Sequence, residues 1–85
     1  MFIHIKYNLE QKSIECNSFE EITNYDTVVY IDTTYNLINR FTSLPELPNS
    51  LQFINCSYNK LTSLPELPNS LRSLDFSNNQ LTSLP

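Results

Sequence analysis

Ten consecutive residues occur twice without change. Residues 42–51 and residues 62–71 both read TSLPELPNSL, and a third copy opens as TSLP at 82–85. In a chain of 85 residues this period of 20 constrains the fold more than any other feature. Each repeat is one small unit that cannot bury its own apolar face, so units must stack and share a core. The segments between the copies, LQFINCSYNKL at 51–61 and LRSLDFSNNQL at 71–81, fit one frame, L-x-x-L-x-L-x-x-N-x-L, with Ile54, Cys56 and Phe76 as apolar variants. A degenerate copy, VVYIDTTYNLI at 28–38, fits the same frame with Thr33 in an apolar place. Val28 lies 23 residues before Leu51, which puts three extra residues within 37–41. The expected units are therefore a cap at 1–27, a degenerate repeat at 28–50, a full repeat at 51–70 and an incomplete one at 71–85.

The frame predicts a short strand in each repeat, with side chains alternating inward and outward. Ile31/Thr33, Ile54/Cys56 and Leu74/Phe76 point inward and stack from unit to unit, each Leu or Ile contributing about 1.5–3 kcal/mol of transfer energy. An Asn column follows the strands at Asn36, Asn59 and Asn79. An amide both donates and accepts, so it can satisfy backbone groups where the chain leaves the sheet. The return leg LPELPNS carries two prolines three apart, which excludes an α-helix and favours polyproline II. With no Gly anywhere, positive-φ positions fall to Asn or Asp. The lack of Gly and Ala beside abundant Asn, Ile and Tyr also has the character of an AT-rich genome.

These units resemble the 20-residue LPX subclass of leucine-rich repeats, over residues 28–85. That subclass is best known from secreted effectors of Gram-negative pathogens, some with a C-terminal ubiquitin ligase domain, and it also occurs in amoeba-infecting giant DNA viruses. The resemblance implies a β-rich solenoid that binds proteins, with parallel strands on its concave side and polyproline II legs behind. It implies no activity for these residues, which contain no counterpart of the ligase domain.

Ahead of the repeats, Ile3, Ile5 and Tyr7 alternate with Phe2, His4 and Lys6, the pattern of a half-buried strand. A second strand at 13–16, with Ile14 and Cys16 inward, completes an N-terminal β-hairpin cap. Ser18 and Glu21 have capping-box spacing, so one helical turn should cover Phe19 and Ile22.

Charge and cysteine content exclude several classes. Nine acidic residues against five scattered basic ones leave a net charge of −4, with no basic stripe for nucleic acid and nothing to attract an anionic membrane. Val28–Ile31 is the longest apolar run, too short for a span or a signal-peptide core. Cys16 and Cys56 are expected to be reduced, consistent with a cytoplasmic protein, in a host cell if the effector resemblance extends to delivery. One His and two separated Cys make a poor metal set, and no cofactor is expected. No Ser/His/Asp set, glycine-rich phosphate loop or carboxylate pair stands out, and the chain is read as a non-enzyme.

The candidate site is the outward face of the strands. Tyr30, Phe53 and Ser73 form one column; Asp32, Asn55 and Asp75 the next; Thr34, Ser57 and Ser77 a third, flanked by Tyr35, Tyr58 and Asn78. Arg72 stands at the start of the last strand. Tyr30, Asp32, Tyr35, Phe53, Asn55, Tyr58, Arg72 and Asp75 are the expected partner-binding residues, because exposed aromatics on one face resemble interface anchors. The alternative is that Tyr30–Phe53 and Tyr35–Tyr58 are cross-strand pairs that only stiffen the sheet. Glu46 and Glu66 repeat on the convex side as a solvated face.

The expected function is a protein–protein interaction module using its concave face. The alternatives are a self-associating structural repeat fragment and a truncated remnant of a longer leucine-rich repeat effector. Residues 81–85 offer no polar cap to the last unit, so a homodimer is expected, through the C-terminal edge or by exchange of the N-terminal strand.

Overall fold

The computed structural model describes residues 3–33 and 41–82. Thr34, Tyr35, Asn36, Arg40 and Leu84 lie outside the described residues, as does all but Phe41 of the stretch 37–41 in which three extra residues are expected.

Five short strands form one mixed sheet in the order β2-β1-β3-β4-β5: β1 (Ile3–Lys6), β2 (Ile14–Cys16), β3 (Tyr30–Asp32), β4 (Phe53–Asn55) and β5 (Ser73–Asp75). The hairpin partners β1 and β2 are antiparallel, and β1 also lies antiparallel to β3. From β3 onward the pairing is parallel, with Ile31, Ile54 and Leu74 in one register and Tyr30, Phe53 and Ser73 beside them. These are the columns expected from the 20-residue frame. No α-helix occurs among the described residues, and none of their helical turns is long and apolar enough to cross a membrane.

The ladder extends past the strands by the same bonds in successive units. At the strand start, the N–H groups of Gln52 and Phe53 donate to the Val29 carbonyl at 2.9 and 3.1 Å, as those of Arg72 and Ser73 do to Gln52 at 2.8 and 3.1 Å. At the strand end, Thr33 N–H donates to Asn55 O and Cys56 N–H to Asp75 O, both at 2.8 Å. The Asn-Ser turns contribute a tie that the sequence pattern does not reveal. Ser50 Oγ donates to Val28 O at 2.6 Å, and Ser70 Oγ to Leu51 O at 2.6 Å, so each turn is fastened to the unit before it.

Each strand stops for a local reason. Asn55 Oδ1 accepts from the N–H of Ser57 at 3.1 Å and its hydroxyl at 2.7 Å, and Asp75 Oδ1 does the same with Ser77 at 3.0 and 2.8 Å. A side chain that takes the N–H two residues on offers the backbone a turn in place of the ladder. This corrects one expectation. Ser57 and Ser77 are both expected outward and share the same turn, but Ser77 is exposed and Ser57 is 3% exposed. The difference is the following unit, whose corresponding turn lies against that of Ser57, with Tyr58 N–H donating to Ser77 O at 3.1 Å.

The Asn column then secures the exit. Asn59 is 3% exposed; its Nδ2 donates to Cys56 O at 2.9 Å, Ser57 O at 3.2 Å and Thr33 Oγ1 at 3.2 Å, while its Oδ1 accepts from Phe41 N–H at 3.1 Å. Asn79 repeats the arrangement one unit later, donating to Phe76 O at 2.9 Å and Cys56 O at 3.0 Å and accepting from Leu61 N–H at 3.0 Å. Each amide thus ties its own turn to the unit before. Thr33, out of place as an apolar residue, is fully buried and meets the Asn59 amide with its hydroxyl.

The core lies on one side of the sheet and is built from Ile3 and Ile5 of the cap, Ile31, Leu51, Ile54, Cys56 and Leu61, with Ile22 and Val28 closing it. Beyond β4 burial falls away, and Leu71, Leu74, Phe76 and Leu81 are only partly covered. The cap departs from expectation in detail. Ile14 and Cys16 share the inward register of Ile5 and Ile3, yet on this edge strand Ile14 is 42% exposed. The turn after Ser18 is a single 3-10 turn, Phe19–Glu21, in which Ser18 makes no side-chain cap and Glu21 accepts from Asn17 N–H at 2.8 Å. A second 3-10 turn, Tyr25–Thr27, follows Asn24, whose φ of 51° is left-handed.

Candidate functional site

With Ile31, Ile54 and Leu74 facing the core, alternation turns their strand neighbours to the other face of the sheet. The antiparallel pairing of β1 with β3 extends two rows across four strands. One row runs Lys6, Tyr30, Phe53, Ser73; the other runs His4, Asp32, Asn55, Asp75, with Glu15 of β2 opposite His4.

The first row is a stack. The rings of Tyr30 and Phe53 lie 5.1 Å apart and only 12° from parallel, and Lys6 Nζ sits 4.7 Å from the centre of the Tyr30 ring. The ring separation is close to the roughly 4.8 Å between strands, so the stack runs straight across the sheet. Lys6 covers one face of Tyr30 and Phe53 covers the other. Among the described residues, Lys6 is the only cation over an aromatic ring. The sequence pattern placed Lys6 outward but could not place it here, since that required the pairing of β1 with β3. Tyr30 Oη donates to Asp32 Oδ2 at 3.3 Å. Partial burial, the Asp32 charge and this bond raise the Tyr30 hydroxyl above its ordinary pKa.

The second row carries the charge. Asn55 and Asp75 each commit Oδ1 to the turn that follows. The two bonds from Ser77 hold the Asp75 carboxyl below the usual value, so it stays ionised. Asp32 and Asp75 are separated by the strand carrying Asn55, an arrangement too wide for two carboxylates to share a proton or a substrate atom. His4 Nε2 stands 4.0 Å from Glu15 Oε1. Among the described residues, no three His, Cys, Asp or Glu side chains gather as a metal site.

The remaining expected residues distribute unevenly. Tyr58 follows the β4 turn, 54% exposed, with φ of 60°. The same position one unit later is Asn78 at 57°. Among the described residues, two of the three left-handed positions are Asn, as the lack of Gly leads one to expect, and Tyr58 departs from that rule. Arg72 is exposed, and its N–H joins the ladder to Gln52 O. Tyr35 lies outside the described residues.

Both thiols are held toward the protonated form. Cys56 is fully buried; burial and the nearby Asp75 charge push it up to about 11, and its Sγ lies 3.4 Å from Asp75 O. Burial, then Glu21, raises Cys16.

On the other side of the molecule an open cleft of about 440 Å³ separates the two proline-rich legs, with Glu46 and Glu66 on its walls. Tyr25, a residue the sequence does not single out, anchors the cap there. Its Oη donates to Glu46 O at 2.8 Å, its ring meets Phe19 edge-on at 6.4 Å, and burial with the Glu46 charge pushes its hydroxyl up to about 12. Comparison of the chain with protein-family models, with curated proteins and with solved structures found no match.

Proposed function

We propose that this chain is a non-catalytic protein-binding module of leucine-rich repeat solenoid type, acting in a cytoplasm and using the sheet face opposite its core as the concave binding surface. The observation that carries the reading is the Tyr30–Phe53 stack, two large rings held parallel on the solvent side, where the core does not require them. Rigid aromatics supply contact area at low entropic cost, which is why such residues anchor interfaces. The 20-residue spacing and the unit-to-unit bonds of the Asn column support the solenoid reading.

The test has two arms. A partner obtained by affinity capture is assayed against Tyr30→Ala with Phe53→Ala, and against Glu46→Ala with Glu66→Ala. The aromatic pair should abolish binding with the fold retained by circular dichroism, and the glutamate pair should leave it unchanged. The reverse result would move the site to the proline-rich side.

A second reading, self-association, is favoured by the falling burial toward β5. Leu51, Ile54, Cys56 and Leu61 are fully buried or nearly so, while their counterparts Leu71, Leu74, Phe76 and Leu81 are only partly covered. Among the described residues β5 has a strand partner on one side only, and a strand with a free side and a half-covered core beside it pairs readily with another strand. Light scattering over a range of concentrations should then show a dimer. A monomer at high concentration would remove this reading and leave the first intact.

A further inference from the structure

We infer that the outer face of the Phe53 ring, above Ser73, is a stacking site for an arginine or lysine side chain of the protein partner, with Asp75 as its counter-charge. This deepens the partner-binding reading and rests on it.

The row Lys6, Tyr30, Phe53, Ser73 supplies the geometry. Because the two rings are nearly parallel and spaced like the strands, the far face of Phe53 is directed toward β5. There the column holds Ser73, an exposed residue too small to cover a ring. At the opposite end of the stack the equivalent place is filled by the Lys6 ammonium, 4.7 Å from the Tyr30 ring. The molecule therefore displays at one end the interaction that the other end leaves open. Aromatic faces attract cations through the ring quadrupole.

The charge distribution selects the same occupant. On the β3–β5 part of this face the two rows are Tyr30, Phe53, Ser73 and Asp32, Asn55, Asp75, which hold two carboxylates and no Lys or Arg. Asp75 flanks the open place from two positions along the same strand as Ser73. Ser77 binds one of its oxygens, and among the described residues the other carries no hydrogen bond. A net charge of −4 favours a cationic segment over long range as well. An anionic or purely apolar segment would meet Asp75 unpaired.

The test uses the full chain, isotope-labelled, and three synthetic decapeptides: one carrying alternate Arg and Ser, one Gln and Ser, one Glu and Ser. The Arg peptide should shift the Phe53 ring and the Ser73 and Asp75 amide signals in a saturable manner, with affinity falling as salt is added. Phe53→Leu, which keeps bulk without a π face, and Ser73→Leu, which fills the place, should each weaken it about two- to fivefold, the size of an exposed cation–π contact. Asp75→Asn should do the same. Equal shifts from the Gln peptide would overturn the cation assignment while keeping the face as a binding surface. If the Arg peptide moves these signals unaltered by Phe53→Leu and Ser73→Leu, the stacking site is wrong. Should no peptide move any signal of β3, β4 or β5, the inference fails, while the binding-face reading is decided separately by the Tyr30→Ala with Phe53→Ala assay.

Discussion

Residues 42–51 and 62–71 are the same ten amino acids in two surroundings. In the first copy Leu47 is 6% exposed, Leu51 is fully buried and Pro48 is buried; in the second, Leu67, Leu71 and Pro68 are only half-buried. Their local structure is the same, down to the Leu N–H that donates to Pro O at 3.1 Å at the end of both. What differs is what lies on either side. The first copy has the cap and β3 before it and a full unit after it, whereas among the described residues the second has a neighbour on one side only. Where like units share one sheet, the sequence selects the conformation of a unit, and its place in the sheet sets how much of it is buried.

Paired substitutions put this difference under load. The largest effect is expected for Leu51→Ala, which removes a fully buried side chain from the shared core at a cost of about 2–5 kcal/mol. Leu71→Ala should cost distinctly less, and the same ordering should hold for Ile54→Ala over Leu74→Ala. Urea melts of the four variants measure it; equal losses at Leu51 and Leu71 would break the comparison by showing that both copies are equally covered in solution.

The Asn column sharpens the comparison with polar groups in place of apolar ones. Asn59→Ala should cost about 1–3 kcal/mol, because it removes the donor to the buried Ser57 carbonyl and the acceptor of the Phe41 N–H, while Cys56 O keeps only its bond from Asn79. Asn79 makes almost the same bonds but is half-exposed, so water can replace part of what Asn79→Ala removes. Its melting point should fall less than that of Asn59→Ala. Equivalent drops would mean that the amide's bonds, rather than its burial, carry the energy.

The smallest effect has the opposite sign. Tyr58 and Asn78 occupy the same left-handed corner in successive units, at φ of 60° and 57°. An L-residue other than Gly or Asn is held there at about 1–2 kcal/mol, and Asn avoids part of that. Tyr58→Asn should therefore raise stability by up to about 1 kcal/mol, and Asn78→Tyr should lower it by a similar amount. A Tyr58→Asn variant that melts lower would show that the exposed ring stabilises the corner by contacts of its own. A variant that melts higher but binds partner less well would place Tyr58 among residues kept for binding at the expense of stability.

Much of the fold was legible because its signals are periodic. The register of Tyr30, Phe53 and Ser73, the inward triplet of Ile31, Ile54 and Leu74, the Asn amides and the hairpin at 3–16 all follow from spacing, since alternation along a strand and a 20-residue repeat leave little freedom. The inward direction of Ile14 and the outward one of Ser57 were misjudged as burial. The first lies on the edge strand β2, and the second is covered by the unit that follows it, whereas Ser77 in the same turn stays exposed.

The sequence by itself determined the unit: the strand, the Asn that closes its turn, and the proline-rich leg that cannot be a helix. Those depend on residues close together in the chain, where stereochemistry and period are sufficient. Only the tertiary structure decided which strand meets the first repeat, and so brought Lys6 over Tyr30 and aligned His4 with Asp32. Pairing between the cap and the repeats is fixed by how the shared apolar face of Ile3, Ile5 and Ile31 closes, a non-local free energy that no spacing within either segment encodes.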